Sequence, residues 1–205
     1  ETSLLDDWNE KLPRMVDQVI RRDVTSLAGV PSWMLVMLEK VLEVTGASDL
    51  CQVWPHLELF MHGGIAFTPY QEIYRRLIPS SRMRYYEVYN ASEGFFAFQD
   101  TAQSKDMLLM SAHGIFYEFI PMDQFLKKGQ AAAAVPLWEV RMDTPYAMVI
   151  TTCGGLWRYL IGDTVRFTSL DPYRLVITGR TKQFINAFGE EVVVENAEQA
   201  LDYAC

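Results

Sequence analysis

The sequence predicts an α/β fold in which helices alternate with short buried strands, followed by a half that consists mainly of strands. Apolar residues recur at helical spacing in the first 80 residues. Short apolar runs between these helices end in glycine or polar pairs, and after Gly94 the apolar residues form a series of short strand-like runs. Because 50% of the 205 residues are hydrophobic, the chain can bury a sizeable core.

The first half reads as alternating helices and strands. In the first helix apolar residues lie near a period of 3.6, and Pro13 is expected to kink it or to start a new segment. The second helix opens at Pro31 or Ser32 and is closed by Gly46. The elements predicted for this half are helices over 3–22, 32–44 and 70–77 and strands over 57–61 and 84–89.

The second half reads as strands joined by turns. Its strand-like segments share β-branched and aromatic residues and are bounded by turn formers. They cover 95–99, 107–110, 115–120, 138–142, 147–152, 157–161, 164–168 and 174–177. Residues 127–136 are expected to form a loop or a short helix, and a last helix is expected to start at Asn196 and to stop at Cys205.

Composition excludes several classes of partner. The net charge of -8 and the sequence pI near 4.9 argue against nucleic acid and anionic membranes, which require clustered Lys and Arg. No apolar run reaches the roughly 20 residues of a membrane span. Three cysteines at wide spacing, without a Cys-x-x-Cys pair, are typical of reduced thiols and predict a cytoplasmic protein. The three histidines do not lie at zinc-ligand spacing with them.

Polar residues at predicted strand ends indicate a nucleotide site. Ser92 can bond a phosphate oxygen, and Glu93 offers a hard oxygen ligand for Mg²⁺. Asp163 can accept hydrogen bonds from ribose hydroxyls, and Arg180 presents a planar fork of donors to ribose or phosphate oxygens. Together these residues predict binding of ATP or AMP, with Mg²⁺ held by Glu93.

Each of these residues also has a purely structural interpretation. Glu93 and Arg180 could be solvated surface charges, and Ser92 and Asp163 could be turn formers that bond their own backbone. Tyr89 could pack in the core instead of stacking on adenine.

The glycine pair Gly63-Gly64 is a further candidate. Glycine permits a close approach of backbone to an adenine ring, although an ordinary strand-to-helix turn explains the pair nearly as well. His62 before it is expected to be a satisfied structural histidine. Trp33, Met34, Met37 and Leu38 lie at helical spacing and are expected in the core, with an acyl pocket as the alternative.

At three motifs the chain resembles the auxin-responsive (Gretchen Hagen) acyl-acid amido synthetase family and its bacterial-type members, which belong to the adenylate-forming superfamily. The first motif, Tyr89 to Glu93, is similar to the family's Tyr-x-x-Ser/Thr-Glu. The second runs from Tyr146 through Trp157-Arg158-Tyr159 to Gly162-Asp163 and resembles its glycine-aspartate motif. The third, Gly179 to Lys182, resembles the hinge between the large and small domains.

The resemblance implies a domain organisation. It places an α/β sheet portion at 1–94, a β-barrel-like portion at 95–178, and the hinge with the start of a small domain at 179–205. Thr25 to Gly29 is the nearest candidate for the family's phosphate loop but lacks its run of small residues. The chain is therefore expected to be a fragment of the large domain, inactive by itself, with Lys182 as a hinge residue and the catalytic lysine elsewhere.

The resemblance also implies a function. The parent protein is expected to activate a carboxylic acid with ATP to an acyl-adenylate and to transfer the acyl group to an amine such as an amino acid. The alternatives are an acyl-CoA-type ligase, with coenzyme A as the acceptor, and a non-catalytic nucleotide-binding or scaffolding protein.

Overall fold

The computed structural model describes residues 7–181 and the backbone of the strands 184–187 and 190–193. The described residues form two compact units. The first unit runs as far as Asn90 and includes Gln99–Gln103, and the second comprises Ala91–Phe98 and the residues from Ser104 onward. The predicted α/β fold class is confirmed.

The described residues of the first unit form four α-helices. They are α1 (Trp8–Val19), α2 (Pro31–Thr45), α3 (Leu50–Val53) and α4 (Gln71–Leu77). Asp7 caps α1 by accepting a hydrogen bond from the backbone N–H of Asn9 at 2.9 Å, and Pro13 lies inside this helix, which continues past it. At the end of α2, Gly46 adopts φ 68°, the left-handed conformation that commonly terminates helices.

Three parallel strands form the sheet of the first unit. They are β1 (Ser26–Gly29), β2 (Leu59–His62) and β3 (Arg84–Ala91), paired in that order. The segment from Thr25 to Gly29, named above as the nearest candidate for a phosphate loop, ends in β1 and supplies a strand instead of a loop. All three strands end at one edge of the sheet, where ligands of α/β proteins bind.

Aromatic side chains fill the core beneath this sheet. The ring of Phe60 stacks on Tyr74 with centroids 5.0 Å apart and meets Phe67 edge-on at 6.0 Å. Tyr74 is fully buried, and its hydroxyl donates to the Pro31 carbonyl at 2.7 Å, which ties α4 to the start of α2. The hydrogen bond satisfies the polar end of a ring that otherwise contributes apolar burial.

In its described residues, the second unit is an antiparallel sheet with one α-helix. Its elements are β4 (Gly94–Phe98), β5 (Met107–Leu109), β6 (Ile115–Pro121), α5 (Met122–Lys128), β7 (Val135–Pro136), β8 (Pro145–Thr152), β9 (Tyr159–Leu170) and β10 (Tyr173–Arg180). The strand order is β4-β5-β10-β9-β8-β6-β7. A separate two-stranded ladder joins β11 (Phe184–Ala187) to β12 (Glu190–Val193).

Two strand predictions for this half are wrong. Residues 138–142 do not form a strand; a 3₁₀ turn spans Leu137–Glu139, and Met142 makes one isolated bridge to Phe167. The turn follows Pro136, which lacks an N–H to continue the ladder. The runs 157–161 and 164–168 belong to one strand, β9, because Gly162 is accommodated within the ladder at φ 91°.

None of the helices in the described part of the chain is long and apolar enough to cross a membrane.

We expect Gly63→Ala to destabilise the protein by about 1–3 kcal/mol, the usual cost of overpacking. A Cβ at Gly63 would lie 2.3 Å from the Val88 carbonyl oxygen, and this backbone atom cannot move without disturbing the pairing of β2 with β3. Urea unfolding of the full-length protein measures the effect.

Gly154→Ala is the matched control, because a Cβ there would meet only the Thr152 hydroxyl at 3.6 Å, an ordinary contact. Equal stability of the two variants would show that the end of β2 tolerates a side chain.

Candidate functional site

A bulge in β9 positions Asp163. On β8, Ala147 pairs with Thr164 and Val149 pairs with Leu160, so three residues of β9, 161–163, stand opposite Met148 alone. On the other side of β9, the ladder with β10 slips by one residue between Ile177 and Gly179. The ladder is therefore irregular on both sides of Asp163, and bulges of this kind redirect side chains next to binding sites.

Asp163 and Arg180 are brought together across this bulge. They are register partners on β9 and β10, and the Arg180 Nε lies 3.0 Å from the Asp163 Oδ1. The Asp163 side chain is 16% exposed and that of Arg180 is 56% exposed. A carboxylate is thus held at the surface of the sheet with a guanidinium extending past it into solvent.

Three threonines secure this end of the hairpin. Thr181 donates to the Gly162 carbonyl through its backbone N–H at 2.8 Å and through its hydroxyl at 3.3 Å. The buried hydroxyls of Thr178 and Thr164 are hydrogen-bonded at 2.9 Å. Sequence reasoning missed these residues because threonine in a strand pattern predicts only β structure; their clustering around Gly162 and Gly179 was the available signal.

Ser92 and Glu93 form the turn between β3 and β4. Ser92 is exposed and Glu93 half-buried, and between residues 7 and 181 neither side chain has a recorded hydrogen bond or ion pair. Gly94 lets the end of this turn pack closely against Ile115, because a Cβ at Gly94 would lie 2.9 Å from the Ile115 Cδ1. The turn therefore presents a carboxylate and a hydroxyl that form no hydrogen bond or ion pair with a described residue.

Glu93 fits a magnesium ion that is shared with a phosphate ligand. The described residues contain no group of three or more His, Cys, Asp or Glu that could form an all-protein metal cage. Mg²⁺ does not require one, since it is commonly held by one or two carboxylates together with substrate phosphates and water.

In the first unit, Gly63 and Gly64 follow directly after β2. The packing of Gly63 against Val88 explains that glycine structurally, and Gly64 adopts φ 84°, which favours glycine. Tyr89 is buried within the fold, as its packing interpretation required. Contacts of these three residues with adenine stay predictions.

His62 is buried as expected but is not satisfied. It is 4% exposed and stacks on Phe67 with centroids 4.0 Å apart, and its Nδ1 has no hydrogen-bond partner in the described structure. Burial lowers the pKa of His62 from 6.5 to about 4, because the charged imidazolium would lose its hydration inside an aromatic cluster.

The four residues expected in the core of α2 behave differently from one another. Leu38 is buried, and Met34 and Met37 pack partly buried against the same cluster. Trp33 is exposed and meets the exposed Trp8 of α1 edge-on at 6.2 Å, so its core prediction is wrong. Helical spacing predicts which face of α2 is directed toward the core, but it does not predict which residues at the edge of that face are buried by neighbouring elements.

The predicted hinge residue Lys182 and the predicted helix from Asn196 to Cys205 lie outside the described residues.

Comparison with solved structures finds the same fold in two kinds of ligase. An acyl acid amido synthetase, GH3.15, matches with a TM-score of 0.74 at 17% identity over 99% of this chain and 45% of its own. A 2-hydroxyisobutyryl-CoA ligase, solved with 2-HIB-AMP and CoA, matches with a TM-score of 0.64 at 16% identity over 94% of this chain and 44% of its own. At these identities the likeness establishes the fold alone.

Sequence comparison finds similarity to one family. Residues 108–180 match the GH3 family central domain. The indole-3-acetic acid-amido synthetase GH3.8 of Oryza sativa subsp. indica is 28% identical over 171 residues, 78% of this chain and 27% of its own length. GH3.4 of Arabidopsis thaliana, also an indole-3-acetic acid-amido synthetase, is 28% identical over 127 residues, 58% of this chain and 21% of its own.

These matches bear out the family resemblance that the three motifs predicted: residues 108–180 are similar to the GH3 central domain, and the relatives named above are GH3 amido synthetases. The chain spans about a quarter of the length of the curated relatives that it matches.

We expect stability to decrease as the pH falls from about 6.5 to about 4, because the unfolded state protonates His62 in this range while the folded state does not. The loss attributable to His62 is at most about 3 kcal/mol, complete near the folded pKa and absent above the unfolded one. Urea unfolding as a function of pH, compared with His62→Phe, measures it; the variant should show the flatter profile.

His56→Gln is the control, because His56 is exposed beside Asp23. If His62→Phe and the parent protein lose stability in parallel over this range, the burial argument fails.

Proposed function

We propose that the parent protein activates a carboxylic acid with ATP, forming an acyl-adenylate and pyrophosphate, and transfers the acyl group to an amine to give an amide. Activation is needed because a carboxylate is a poor electrophile with no competent leaving group, and adenylation supplies AMP as one. The observation that carries the proposal is the Asp163–Arg180 pair at the β9 bulge, inside the segment that matches the GH3 central domain.

Asp163 and Arg180 would anchor the nucleotide by its ribose. The carboxylate accepts from vicinal hydroxyls, and the exposed guanidinium donates to a ribose or phosphate oxygen. Their contribution is positioning, since neither group exchanges a proton or a bond with the substrate. The bulge and the three threonines hold both groups in place before a ligand arrives.

Glu93 and Ser92 would face the phosphates. Glu93 would hold Mg²⁺, which neutralises charge on the phosphate oxygens, and the Ser92 hydroxyl would donate to one of those oxygens. Gly63, Gly64 and Tyr89 would contact adenine. The proposed Mg²⁺ ligation is supported by the half-buried side chain of Glu93, which forms no hydrogen bond or ion pair with residues 7–181.

An amine is the better supported acceptor. The curated relatives that match this chain are named as amido synthetases, and the 2-hydroxyisobutyryl-CoA ligase matches with a lower TM-score than GH3.15. An amino acid would be the amine by the same likeness. Incubating the full-length protein with ATP and a panel of acids, with either amino acids or coenzyme A, separates the two reactions; absence of acid-dependent pyrophosphate release with every acid would instead favour a non-catalytic protein.

We expect Asp163→Ala to weaken ATP binding by about ten- to a hundredfold, because one charge-assisted hydrogen bond contributes roughly 1.5–3 kcal/mol. The loss of folding stability should be about 1 kcal/mol or less, since Arg180 is largely solvated. Calorimetric titration with ATP measures the first quantity and urea unfolding the second.

Asp143→Ala is the matched control, because Asp143 also pairs with an arginine of β9, Arg166, at 3.1 Å, but lies away from the bulge. An ATP dissociation constant that responds equally to both substitutions would contradict the ribose assignment.

We expect Glu93→Gln to impair adenylation more than ATP binding, because the amide retains the shape of the side chain but is a much weaker Mg²⁺ ligand. Acid-dependent pyrophosphate release, measured over a range of Mg²⁺ concentrations, should require more Mg²⁺ in the variant. Glu139→Gln, at an exposed glutamate of the same unit, is the control. Unchanged activity with a normal Mg²⁺ titration would make Glu93 an ordinary surface acid.

A further inference from the structure

Arg158, the arginine of the glycine-aspartate motif, is held in an unusual conformation and has no role in the proposed nucleotide site. Its φ of 44° lies in the left-handed region, which costs a non-glycine residue energy. Two contacts hold it there. Its backbone N–H donates to the Thr151 hydroxyl at 3.0 Å, and its Nε donates to the Glu118 carboxylate at 3.0 Å.

The contact with Glu118 leaves the outer edge of the guanidinium open. Glu118 is 18% exposed and Arg158 is 53% exposed, so the carboxylate acts as a fixed support under a solvent-facing cation. The recorded bonds of Arg158 use only Nε and the backbone N–H within the described residues. Its two terminal Nη groups are therefore available as a planar fork of donors.

Exposed aromatic rings lie on the face of the sheet that carries Glu118, the partner of Arg158. Phe116 precedes Glu118 by two residues on β6 and so shares its face, and Phe116 pairs in register with Thr151, the residue that holds Arg158. Trp138 lies across from Phe116, with ring centroids 6.3 Å apart. Both rings are exposed.

Farther along β6 and β8, helix α5 covers the same face of the sheet. Ile120, Ala147 and Val149 are buried there, and Met122 and Phe125 of α5 pack against them. Past the part of the face that α5 covers, the next residues are Glu118, Phe116 and Trp138. Arg158 is bonded to Glu118 at this position. An apolar surface thus ends in an oriented guanidinium, which is the arrangement that a flat molecule carrying a carboxylate requires.

We propose that Phe116, Trp138, Glu118 and Arg158 form a binding site for an aromatic carboxylate, separate from the nucleotide site. The ligand's carboxylate accepts two hydrogen bonds from the Nη edge of Arg158, and its ring packs against Phe116 and Trp138. Glu118 orients the arginine but also repels the incoming anion, so attraction arises from directed hydrogen bonds and ring contact. The site is open to solvent, and its affinity is correspondingly weak.

Arg158 is bonded to Glu118 of β6, whereas Asp163 is bonded to Arg180 of β10. In the order β10-β9-β8-β6 these partner strands are three positions apart, which is about 14 Å at the usual strand spacing. A carboxylate bound at Arg158 is therefore not positioned for reaction beside a ribose held by Asp163. The site would bind a carboxylic acid without being the place where an acid is activated. Its existence does not depend on the proposed function.

Fluorine NMR of the full-length protein labelled with fluorotryptophan tests this site directly. The Trp138 signal is assigned by its loss in Trp138→Phe, and the probes are phenylacetate and its neutral isostere phenylacetamide. Phenylacetate should shift the Trp138 signal saturably, and phenylacetamide should bind at least about tenfold more weakly, because it lacks the charge that strengthens hydrogen bonds to arginine.

Variants distinguish this site from a structural ion pair. Arg158→Gln should weaken phenylacetate binding at least about tenfold, and Arg158→Lys should weaken it too because lysine lacks the fork. Glu118→Gln should strengthen binding, since the amide oxygen still supports Arg158 without repelling the ligand. Arg166→Gln and Asp163→Ala should leave binding unchanged, and the latter separates this site from the nucleotide site.

A Trp138 signal that does not respond to phenylacetate, or that responds equally in Arg158→Gln, would overturn the proposal. So would equal binding of phenylacetamide. Thermal unfolding of each variant identifies loss of fold, and Arg158→Lys decides the question if Arg158→Gln does not fold.

Discussion

The bulge at Gly162-Asp163 is the constraint on which the candidate site depends. In a regular ladder, each residue of β9 near Met148 would pair with one residue of β8. The register of Asp163 with Arg180 would then be different. Gly162 makes the bulge possible, because φ 91° is readily available only to glycine. The backbone of Thr181 then closes the structure by donating to the Gly162 carbonyl, which satisfies an acceptor that the irregular ladder leaves unpaired.

The two units use glycine and aromatic residues for different purposes. In the first unit, Gly63 allows β2 to end in contact with Val88, and the buried ring of His62 is held uncharged against Phe67. These features stabilise the edge at which the parallel strands end. In the second unit, the corresponding features, Gly162 and the exposed Arg180, present polar groups to solvent. Variants of Gly63 and His62 therefore test packing, whereas variants of the largely solvated Arg180 test binding.

Much of the fold could be predicted from local patterns. The helix over 32–44, the parallel strands β2 and β3, and most strands of the second half follow from periodicity and turn residues, whereas β1 was not predicted. Asp163 and Arg180 were identified from sequence as ligand candidates, because a carboxylate and a guanidinium suit ribose and phosphate oxygens and both residues lie in motifs that resemble those of the family. Their ion pair was not predicted, since it depends on the register between β9 and β10.

Other features could not be read from the sequence because they depend on tertiary contacts. The 3₁₀ turn at Leu137–Glu139 replaces a strand with ordinary β propensity, and Trp33 lies at the uncovered margin of a helix whose centre is buried. The left-handed Arg158 is held by Glu118, 40 residues away in sequence. Patterns within a window of ten or fifteen residues contain no information about such partners.

A double-mutant cycle on ATP affinity tests the central claim, that Asp163 and Arg180 bind the nucleotide as one unit. ATP dissociation constants would be measured for Asp163→Ala, Arg180→Ala and the double variant of the full-length protein. If the pair acts together, the double variant should bind about as weakly as the weaker single variant, because residues in one network do not contribute additively. Fully additive losses, or affinities unchanged from the parent protein, would contradict this account.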